Sequence, residues 1–544
     1  MSSDIRKKIK ETKVFSNIDI HFADFIIEEN GEWCSELYFT ALFLSKGLMS
    51  GHIAIEPENL NIPEELKEID VPERKGWIGK IKECAIIKNE ISPVIIDKNR
   101  IYLQRYHYYE SSLAGLIIKK AVKKDPLQYD DKNMGKFFKD DTIKKEAAEH
   151  VMKNGLTVIT GGPGTGKTTV VANILHLLVS KDPDLRFALA APTGKAAARM
   201  TEAIKNSFQR CFEDNDPVCA TILKHKGSTL HRLLGYNRNS VEFKHNEKKR
   251  LPFALVIVDE ASMIDITMMK KLFSATDDNA RIILLGDRDQ LASVEAGSVF
   301  ADICEGLTTD NVFKLEKNYR FDENSNIWKS AQSVNKGEVP EETVLKSISI
   351  NENEINTLID KYYKPFVEEP DPEKAMKLYN KFRIFCATRE WKGSVKEMND
   401  RVEDQLGLRQ KNEFYESRPI VIKENDYNLG LFNGDTGILK KNEKGELRAW
   451  FEVEGVLKPF VPALLPSHET AFATTIHKSQ GSEFDNVLIV LPAQDNPILT
   501  RELLYTGITR ARKEIYIHSD GELIKAAVGK KVRRSSGLKE RLSS

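Results

Sequence analysis

The sequence predicts an α/β protein in which two parallel-sheet domains carry a small inserted β-barrel and follow an α-rich amino-terminal domain. Short β-branched runs alternate with helical patterns in two separate regions, which is typical of parallel sheets with crossover helices. A glycine-rich loop stands between the first strand of the first region and a helix. With 544 residues, of which 41% are hydrophobic, the chain is long enough to form several cores.

Residues 1–126 are predicted to form the α-rich domain and to dock a partner. Apolar helical runs such as SELYFTALFLSKGL occur here, and PVIIDKNRIYLQRYHYYE looks extended before a further helical run. The segment contains no catalytic constellation. Its aromatic cluster consists of Tyr102, Tyr106, Tyr108 and Tyr109, which could stack on nucleobases. We favour the alternative, in which these residues belong to the core side of a strand and to a face that binds a partner.

Residues 127–318 are predicted to form the first parallel-sheet domain, on the runs LTVIT, RFALAAP, FALVIVDE and RIILLGD. The runs KFRIFCATR, NVLIVLP and EIYIHSD predict a second such domain from residues 319–417 and 467–544. The acidic, proline-bearing KPFVEEPDPEKAMK is interpreted as a linker before its first strand. Alternating residues with NG and KG turns predict that residues 418–466 form the inserted barrel.

Composition argues against several classes of protein. The 81 basic residues balance the 81 acidic ones, so no global positive field recruits nucleic acid or membrane. The six cysteines include no CxxC pair, which argues against a zinc knuckle, an iron–sulfur site or a disulfide framework. The start lacks a signal-peptide core, and no run of about 18 apolar residues occurs, so we expect a soluble cytoplasmic protein.

The last twenty residues hold seven basic side chains and one acidic side chain. Such a tail is usually a solvated face or a fraying end, and contact with nucleic acid or a partner is the alternative.

GGPGTGKTT follows the strand run LTVIT and precedes the helical VVANILHLLV, which is the context of a Walker A loop. Backbone N–H groups of such a loop cradle the phosphates of ATP. We expect Lys167 to pair with the β- and γ-phosphates and Thr168 to hold Mg²⁺. The predicted nucleotide-binding residues are Gly161, Gly162, Pro163, Gly164, Thr165, Gly166, Lys167, Thr168 and Thr169.

Two further strand ends carry polar residues suited to ATP hydrolysis. Asp259 and Glu260 follow ALVIV, and we predict that Asp259 holds Mg²⁺ while Glu260 polarises the attacking water. A pair that merely caps the next helix is the alternative. Asp287 and Gln290 follow RIILL, where a glutamine can sense the γ-phosphate, and a capped helix start is the alternative there.

Two arginines come from outside the first predicted sheet: Arg320 in LEKNYRF and Arg510 in LLYTGITRAR. Either could act as an arginine finger, worth roughly 10³ to 10⁵ in rate, if the second domain closes on the nucleotide. A lone arginine is ordinarily a surface residue, so this assignment depends on a two-domain motor.

The ordered set GGPGTGKTT, APTGKAAARM, TLHRLLG, VIVDEASMID, LLGDRDQLASVEAG, NYRF, ATTIHKSQGSEFD and LLYTGITRAR resembles superfamily 1 helicases. In detail it resembles the RecD subunits, or alpha chains, of RecBCD-type exodeoxyribonuclease V. The match spans Thr157 to Arg512, and RIYLQRYHYYE and RRSSGL extend a weaker likeness. The resemblance implies two RecA-like P-loop domains, an SH3-like barrel, ATP and Mg²⁺ as cofactors, and 5′-to-3′ movement on single-stranded DNA.

The resemblance also implies partners and a DNA path. The partners would be double-strand DNA ends and the RecB-like and RecC-like subunits of a heterotrimer. This complex would serve DNA repair and would lie in the bacterial cytoplasm, at the nucleoid. DNA-contacting residues carried over by motif in the first domain are Pro192, Thr193, Lys195, Arg199, Thr229 and His231. Those in the second are Thr475, His477, Lys478, Ser479 and Gln480, with Glu483 near the seam between the domains.

Two features depart from the family pattern. Superfamily 1 helicases usually place a glutamine before the Walker A loop to contact adenine, whereas this chain has none between Gln128 and Gly161 and has Lys144 at about that place. Stand-alone RecD-like helicases carry a long amino-terminal extension with helix-hairpin-helix elements, and no such run occurs before Lys153. The second departure favours a subunit that works in a complex.

Alternative functions follow from the same residues. The chain could be a stand-alone RecD-like helicase, or a P-loop switch whose nucleotide state controls partner binding without movement on DNA. A nuclease is a third possibility, but the recognisable acids Asp259, Glu260 and Asp287 are already assigned to ATP. Nuclease activity is therefore expected in a partner.

Overall fold

The computed structural model describes residues 2–89, 91–139, 141–212, 216–237, 240, 242–390, 392–409, 412–426, 428–453 and 455–543. These residues form a small antiparallel sheet, two parallel sheets and a second antiparallel sheet. Within these ranges, no helix combines the length and the apolar character that crossing a membrane requires.

The amino-terminal region packs six helices against a three-stranded antiparallel sheet of order β1-β3-β2. The helices are α1 (Ser2–Thr12), α2 (Asn17–Asn30), α3 (Ser35–Met49), α4 (Trp77–Glu83), α5 (Ala85–Lys88) and α6 (Gln104–Lys120), and the strands are β1 (Ala54–Ile55), β2 (Val94–Asp97) and β3 (Arg100–Leu103). α2 begins at a capping box between Ser16 and Asp19 and ends at Gly31, whose φ of 75° suits glycine.

The run PVIIDKNRIYLQRYHYYE is extended in β2 and β3, as predicted, but the chain after Leu103 is helical, so the prediction is wrong for QRYHYYE. α6 buries Glu110, Leu113 and Ile117 at helical spacing, and this buried face overrides the strand propensity of the aromatic residues. Of the four tyrosines, Tyr102 alone lies on a strand, where it is buried. The other three lie on α6: Tyr106, Tyr108 and Tyr109.

The first parallel sheet has the order β6-β5-β7-β8-β4-β9. Its strands are β4 (Leu156–Gly161), β5 (Phe187–Ala191), β6 (Ser228–Thr229), β7 (Leu255–Val258), β8 (Arg281–Gly286) and β9 (Val312–Leu315). The helices of this region are α7 (Asp131–Phe137), α8 (Thr142–Lys153), α9 (Lys167–Val179), α10 (Gly194–Cys211), α11 (Pro217–Leu223), α12 (Leu230–Leu234), α13 (Ile266–Ala275) and α14 (Val299–Gly306). β4, β7 and β8 are fully buried, as their continuous apolar runs predict for a sheet covered on both faces.

The carboxyl-terminal half contributes eight helices and nine strands among the described residues. The helices are α15 (Asn326–Lys336), α16 (Glu342–Ile348), α17 (Glu352–Glu368), α18 (Pro372–Tyr379), α19 (Val395–Gln405), α20 (Arg501–Ile508), α21 (Gly521–Gly529) and α22 (Leu538–Ser543). The strands are β10 (Phe382–Cys386), β11 (Pro419–Ile422), β12 (Thr436–Lys441), β13 (Leu447–Val453), β14 (Val456–Phe460), β15 (His468–Thr470), β16 (Ala473–Thr475), β17 (Phe484–Val490) and β18 (Ala511–His518). Strands β16-β10-β17-β18 form the second parallel sheet.

Short 3₁₀ helices complete the secondary structure that the described residues show. They are Pro57–Asn59, Glu64–Leu66, Ala261–Met263, Thr309–Asn311, Pro462–Leu464 and His477–Ser479.

The segment predicted as an acidic linker is helical instead. α17 continues through Pro365 because Ile359, Tyr363 and Phe366 place one continuous apolar face in the core. α18 then begins with a proline in its first turn, where the missing N–H costs nothing, and Asp371 caps it. Acidic composition therefore indicated only the solvent face of these two helices.

The insert is a five-stranded antiparallel sheet of order β14-β13-β12-β11-β15. Ile420, Leu439 and Phe451 fill its small core. Its last strand ends at Thr470, beyond the predicted limit at residue 466. In the described part of this insert, β14 and β15 do not pair with each other, so closure into a barrel is not confirmed.

The basic tail docks on the protein, contrary to the predicted solvated or fraying end. α22 packs between α14 and α6, and Leu538 and Leu542 are buried there. The fully buried carboxylate of Glu110 accepts hydrogen bonds from Gly537 N at 2.9 Å and from Arg541 Nε at 3.0 Å. The basic side chains of the tail thus neutralise acids of the amino-terminal region, which composition alone cannot reveal.

We expect Arg541→Ala to lower the free energy of unfolding by about 2–4 kcal/mol, because it leaves the buried Glu110 carboxylate without its cation. The shift of the urea midpoint measures this change. The matched control is Arg533→Ala, which alters an exposed arginine of the same tail. Equal midpoints for the two variants would show that the ion pair does not hold the tail in place.

Candidate nucleotide and DNA site

The glycine-rich loop joins the end of β4 to the start of α9. Gly164 and Gly166 have φ of 84° and 85°, a conformation that glycine adopts without strain. A Cβ on Gly161 would lie 2.7 Å from the carbonyl oxygen of Leu315, so this glycine allows two backbones to approach closely. The loop therefore has the shape of a phosphate cradle at the amino terminus of a helix.

Lys167 folds over this cradle. Its Nζ donates hydrogen bonds to the carbonyl oxygens of Gly161, at 2.5 Å, and Gly162, at 3.1 Å. The ammonium group thus occupies the mouth of the loop, where a phosphate would bring it a stronger acceptor. Thr168 follows Lys167 at the start of α9, whereas the Thr169 hydroxyl lies 3.4 Å from Ser207 Oγ on α10.

Asp259 and Glu260 lie directly after β7. Burial raises the pKa of Asp259 to about 6, and the neighbouring charge of Glu260 adds to this effect while Lys167 opposes it. Glu260 has a φ of 51°, and its backbone N–H donates to Asp259 Oδ1 at 2.8 Å. This strained turn follows the edge of the sheet, and the Asp259 carboxylate lies close enough to Lys167 to interact with its charge.

Asp287 lies after β8 and is buried against the second parallel-sheet region. Its Oδ2 accepts a hydrogen bond from Gln290 Nε2 at 2.9 Å and one from the hydroxyl of Tyr505 on α20 at 3.2 Å. Burial raises the pKa of Asp287 to about 6, against the opposing charge of Lys167. Gln290, the predicted phosphate sensor, is thus buried and hydrogen-bonded to Asp287.

An arginine cluster surrounds Glu483 where the two parallel-sheet regions meet. Glu483 binds Arg320 Nη2 at 2.7 Å and Arg512 Nη2 at 3.1 Å. Burial alone would raise the pKa of Glu483, but Arg320, Arg199, Arg510 and Arg512 together lower it to about 2. Arg199, which follows APTGK in the sequence and was predicted to contact DNA, therefore interacts with this cluster.

The two predicted arginine fingers differ in their surroundings. Arg510 is 2% exposed, and its guanidinium donates to the carbonyl oxygens of Thr506 at 3.1 Å and Ser482 at 3.2 Å. The Arg320 side chain is 27% exposed and contacts Glu483. A Cβ on Gly164 would lie 2.5 Å from the Cβ of Arg320, so the side chain of Arg320 begins directly against the glycine-rich loop.

The predicted cofactors fit the residues at this edge. The carboxylates of half-buried Asp259 and buried Asp287, each with a pKa of about 6, interact with the charge of Lys167. Such a site favours an added cation, and the hydroxyl of Thr168 and the carboxylate of Asp259 are oxygen ligands of the kind that Mg²⁺ prefers. The glycine loop supplies backbone N–H groups for the phosphates.

Lys144 lies beside the phosphate loop, where the family pattern would have a glutamine. Its Nζ pairs with Asp141 Oδ2 at 2.9 Å and lies 4.0 Å from the centre of the Tyr319 ring. The Tyr319 hydroxyl donates to the same carboxylate at 3.1 Å. A Cβ on Gly166 would lie 3.4 Å from Lys144 Nζ, so this polar group borders the loop directly.

Four of the predicted DNA-contacting residues line one cavity of about 230 Å³: Pro192, Thr193, His231 and Gln480. Thr193 and Thr229 cap the starts of α10 and α12. Lys195 Nζ lies 5.9 Å from the centre of the Phe484 ring. Burial lowers the pKa of Lys195 to about 7.

The remaining predicted DNA-contacting residues have partners within the protein. Lys478 Nζ contacts Glu469 Oε1 at 2.5 Å, and buried Ser479 donates to the Ile476 carbonyl oxygen at 2.6 Å. The hydroxyl of Thr475 accepts the N–H of Lys478 at 3.3 Å, and burial lowers the pKa of His477. The segment TIHKSQG therefore shapes the surface largely through its own internal hydrogen bonds.

Sequence reasoning missed Tyr505 and Asn318. A Cβ on Gly162 would lie 2.7 Å from the Tyr505 hydroxyl, and Asn318 Nδ2 donates to the Pro163 carbonyl oxygen at 2.7 Å. Both residues belong to quoted segments, LLYTGITRAR and LEKNYRF, in which only the arginines were considered. Their polar side chains beside those arginines were the available signal.

Comparison with known proteins identifies three family profiles in this chain. The RecBCD enzyme subunit RecD N-terminal domain matches residues 11–102, an AAA domain matches 144–296, and a UvrD-like helicase C-terminal domain matches 470–518. Among solved structures, the chain is similar to Pif1 helicase from Bacteroides in complex with ADP-AlF3 and ssDNA. That similarity has 20% identity and a TM-score of 0.41 and covers 69% of this chain and 90% of that chain.

Two curated relatives align with the chain almost from end to end. The RecBCD enzyme subunit RecD of Mycolicibacterium smegmatis is 32% identical and aligns over 97% of this chain and 98% of its own length. The subunit of the same name from Mycobacterium tuberculosis is 31% identical, and the alignment covers 100% of this chain and 97% of the relative. Identity at this level over both full lengths shows that the chain belongs to the RecD family of RecBCD enzyme subunits.

Proposed function

We propose that this chain is the 5′-to-3′ DNA helicase and translocase of a RecBCD-like helicase–nuclease that processes double-strand DNA ends for recombinational repair. It is an ATP-dependent DNA helicase subunit of the RecD family. The observation that carries the proposal is the seam where the phosphate loop of one parallel-sheet region lies against the Cβ of Arg320 and the hydroxyl of Tyr505 from the other. A nucleotide bound there would contact both regions, so hydrolysis can change their relative position.

The nucleotide site is proposed to use ATP and Mg²⁺. The residues Gly161 to Thr169 bind the phosphates, and Thr168 and Asp259 hold the ion, which when bound neutralises charge on the phosphates. Glu260 orients and deprotonates the attacking water. Gln290, through Asp287 and Tyr505, carries the state of the site to the second region.

We also propose limits for the domains. Residues 127–318 and residues 319–417 with 471–544 are assigned to two RecA-like motor domains, and residues 418–470, which include the last strand of the insert, to an SH3-like barrel inserted in the second. The five-stranded sheet of the insert supports the barrel assignment through its antiparallel order. Residues 1–126 form the domain that docks RecB-like and RecC-like subunits.

DNA is proposed to run along the cavity edge formed by Pro192, Thr193 and His231. Lys195, Arg199 and Thr229 extend this path, as do Thr475, His477, Lys478, Ser479 and Gln480 in the second motor domain. Hydroxyl groups and backbone amides at strand ends grip phosphates without discriminating sequence, as a motor requires. DNA cleavage is assigned to a partner, because Asp259, Glu260 and Asp287 already serve ATP.

Glu483 is proposed to hold the arginine finger before ATP binds. The ion pair keeps the Arg320 guanidinium at the seam, and a γ-phosphate carries more negative charge than the glutamate that now binds it. Exchange of Arg320 from Glu483 to the nucleotide would couple domain closure to catalysis. Arg510, whose guanidinium is buried and bound to main-chain carbonyl groups, positions this segment instead.

We expect Lys167→Gln to reduce ATP hydrolysis at least about 10²-fold, because it removes the cation that stabilises the transferred phosphate. Unwinding of 5′-tailed duplexes by the purified chain, or by the complex with its partners, should be lost with it. Lys181→Gln, an exposed lysine after α9, is the control.

Other outcomes of this assay would favour the alternative functions or contradict the proposed polarity. ATP turnover that ignores single-stranded DNA in both the chain and the complex would favour a nucleotide-controlled switch. Unwinding of 5′-tailed duplexes without partners would favour a stand-alone helicase, and unwinding of 3′-tailed duplexes alone would contradict the polarity.

Arg320→Ala should lower kcat for ATP about 10³-fold with little change in KM, because an arginine finger acts on the transition state. Arg409→Ala, which alters an exposed arginine whose ion pair is with Asp404, should leave kcat unchanged. Arg510→Ala should lower the unfolding midpoint together with activity, since it removes buried hydrogen bonds. A larger loss of kcat at full stability in Arg510→Ala would assign the finger to Arg510.

Glu483→Gln should destabilise the protein by about 3 kcal/mol at pH 7, because the arginines lower the pKa of Glu483 to about 2 in the folded state. This contribution is fully present above the ordinary pKa of a glutamate and is lost as pH falls toward 2. Urea unfolding should therefore show a constant difference in the free energy of unfolding between the wild-type chain and Glu483→Gln from pH 7 down to about pH 4.5. Below about pH 4.5, down to pH 3.5, this difference should become smaller. Glu338→Gln, at an exposed site, should show no gap, and a gap that widens on acidification would contradict the assignment.

A further inference from the structure

A mixed cluster of histidine, aspartate and cysteine side chains lies in the first parallel-sheet region, and none of its members belongs to the proposed nucleotide or DNA site. One ring nitrogen of His176, one carboxylate oxygen of Asp216 and the Sγ of Cys219 lie within 4.8 Å of one another. His176 and Cys219 are buried, and Asp216 is half-buried. Zn²⁺ is bound in proteins by these three types of side chain.

Two helices that are far apart in the chain bring the three side chains together. His176 lies in the last turn of α9, the helix that begins at the phosphate loop, and Cys219 lies on α11. Asp216 directly precedes α11, and its Oδ1 accepts the N–H groups of Val218 at 2.7 Å and Cys219 at 3.1 Å. The other oxygen, Oδ2, lies 3.0 Å from His176 Nε2 and is the oxygen that a metal ion would share with the imidazole.

The hydrogen bonds of His176 require a cation or a second proton between its ring and Asp216. Ser180 Oγ donates to the His176 carbonyl oxygen at 2.5 Å and lies 3.3 Å from His176 Nδ1. Because the hydroxyl group has one hydrogen, which this short contact uses, Nδ1–H must be the donor to Ser180 Oγ. In the neutral ring, Nε2 then presents a lone pair to the Asp216 carboxylate. A metal ion at Nε2 removes this repulsion and also gives the neighbouring Cys219 thiolate a partner.

The surroundings of His176 hold its ring in one orientation. The Phe212 ring stacks on the imidazole with the centroids 4.2 Å apart, and the Phe137 ring lies nearly perpendicular to it at 5.3 Å. The hydrogen bond from Nδ1 to Ser180 fixes the tautomer that leaves Nε2 free to bind a metal, as outer hydrogen bonds of metal-binding histidines do. The two apolar rings also keep water away, which strengthens the attraction between an ion and its ligands.

The cluster needs only small side-chain movements to hold one ion. Ligand atoms of a tetrahedral zinc ion lie about 3.5 Å apart, since Zn–N and Zn–S bonds are about 2.0 and 2.3 Å long. Asn173, one turn before His176 on α9, is 6% exposed, and its Oδ1 has no hydrogen-bond partner in the part of the chain that the structure describes. Because side chains three positions apart on a helix are neighbours, a water molecule in the fourth position of the ion can donate to this oxygen.

We propose that His176, Asp216 and Cys219 bind Zn²⁺, with water as the fourth ligand. The Cys219 thiol releases its proton when the ion binds. Mg²⁺ and Ca²⁺ do not fit this site, because they prefer oxygen ligands, whereas imidazole and thiolate favour zinc. The ion would join the last turn of α9 to α11 and so fix the far end of the helix that carries the phosphate loop. The inference is independent of the proposed helicase function.

The test uses the full chain with its thiols kept reduced, stripped of metal by a chelator and titrated with Co²⁺ as a spectroscopic substitute for Zn²⁺. Cobalt bound to a thiolate produces a charge-transfer absorption, whereas cobalt at the proposed Mg²⁺ site, whose ligands are oxygen atoms, does not. The variants are Cys219→Ser, His176→Gln and Ser180→Ala. Cys34→Ser, which removes a half-buried thiol of the amino-terminal region, is the matched control.

The wild-type chain and Cys34→Ser should bind one equivalent of Co²⁺ with the thiolate absorption, and Zn²⁺ should displace it. Cys219→Ser should lose this absorption, and His176→Gln should bind Co²⁺ at least about 100-fold more weakly, because each variant removes a ligand. Ser180→Ala should weaken binding about tenfold, because it removes only the hydrogen bond that orients the ring.

A folded wild-type chain without the thiolate absorption would overturn the proposal and leave a protonated histidine paired with Asp216. The same absorption in Cys219→Ser would place the ion on another thiol and would also overturn it. Circular dichroism of each metal-free chain separates loss of binding from loss of the fold. Zn²⁺ should raise the unfolding temperature of the wild-type chain and leave that of Cys219→Ser unchanged.

Discussion

The structure depends on how the carboxyl edge of the first parallel sheet is covered. That edge collects the phosphate loop, Asp259 and Asp287, and burial penalises their charges unless partners are supplied. One partner comes from the second parallel-sheet region, in which the Tyr505 hydroxyl donates to Asp287, and the Cβ of Arg320 lies against Gly164. The proposed nucleotide site, the arginine cluster and the cavity lined by Thr193 and Gln480 all lie along this shared edge.

This arrangement explains why polar groups at the seam are paired within the protein. Glu483 holds Arg320 and Arg512, and Lys167 is hydrogen-bonded to carbonyl groups of its own loop. Each of these contacts can be exchanged for a phosphate oxygen, which is a stronger acceptor for a cationic donor. A seam built from exchangeable ion pairs can open and close at modest cost, as a motor must do in every cycle.

Local chemistry made the sheet edge that carries the proposed nucleotide site predictable from the sequence. Continuous apolar runs identified β4, β7 and β8, and the polar residues after them necessarily met at one edge because parallel strands end together. Predictions based on composition were less successful. The acidic linker is part of α17 and α18, the tyrosine-rich run belongs to α6, and the basic tail docks, because buried faces and distant charged partners decided each of these structures.

The sequence by itself determined the α/β class, the glycine-rich loop and the acids that we propose for the nucleotide site, since these depend on residues within a few positions of one another. The tertiary structure alone decided that Arg320 borders the phosphate loop while Arg510 is bound to main-chain carbonyl groups, and that Asp265 and Glu295 face one cavity. These relations join side chains far apart in the chain. Their distances follow from how the helices and sheets pack, which no local pattern of residues records.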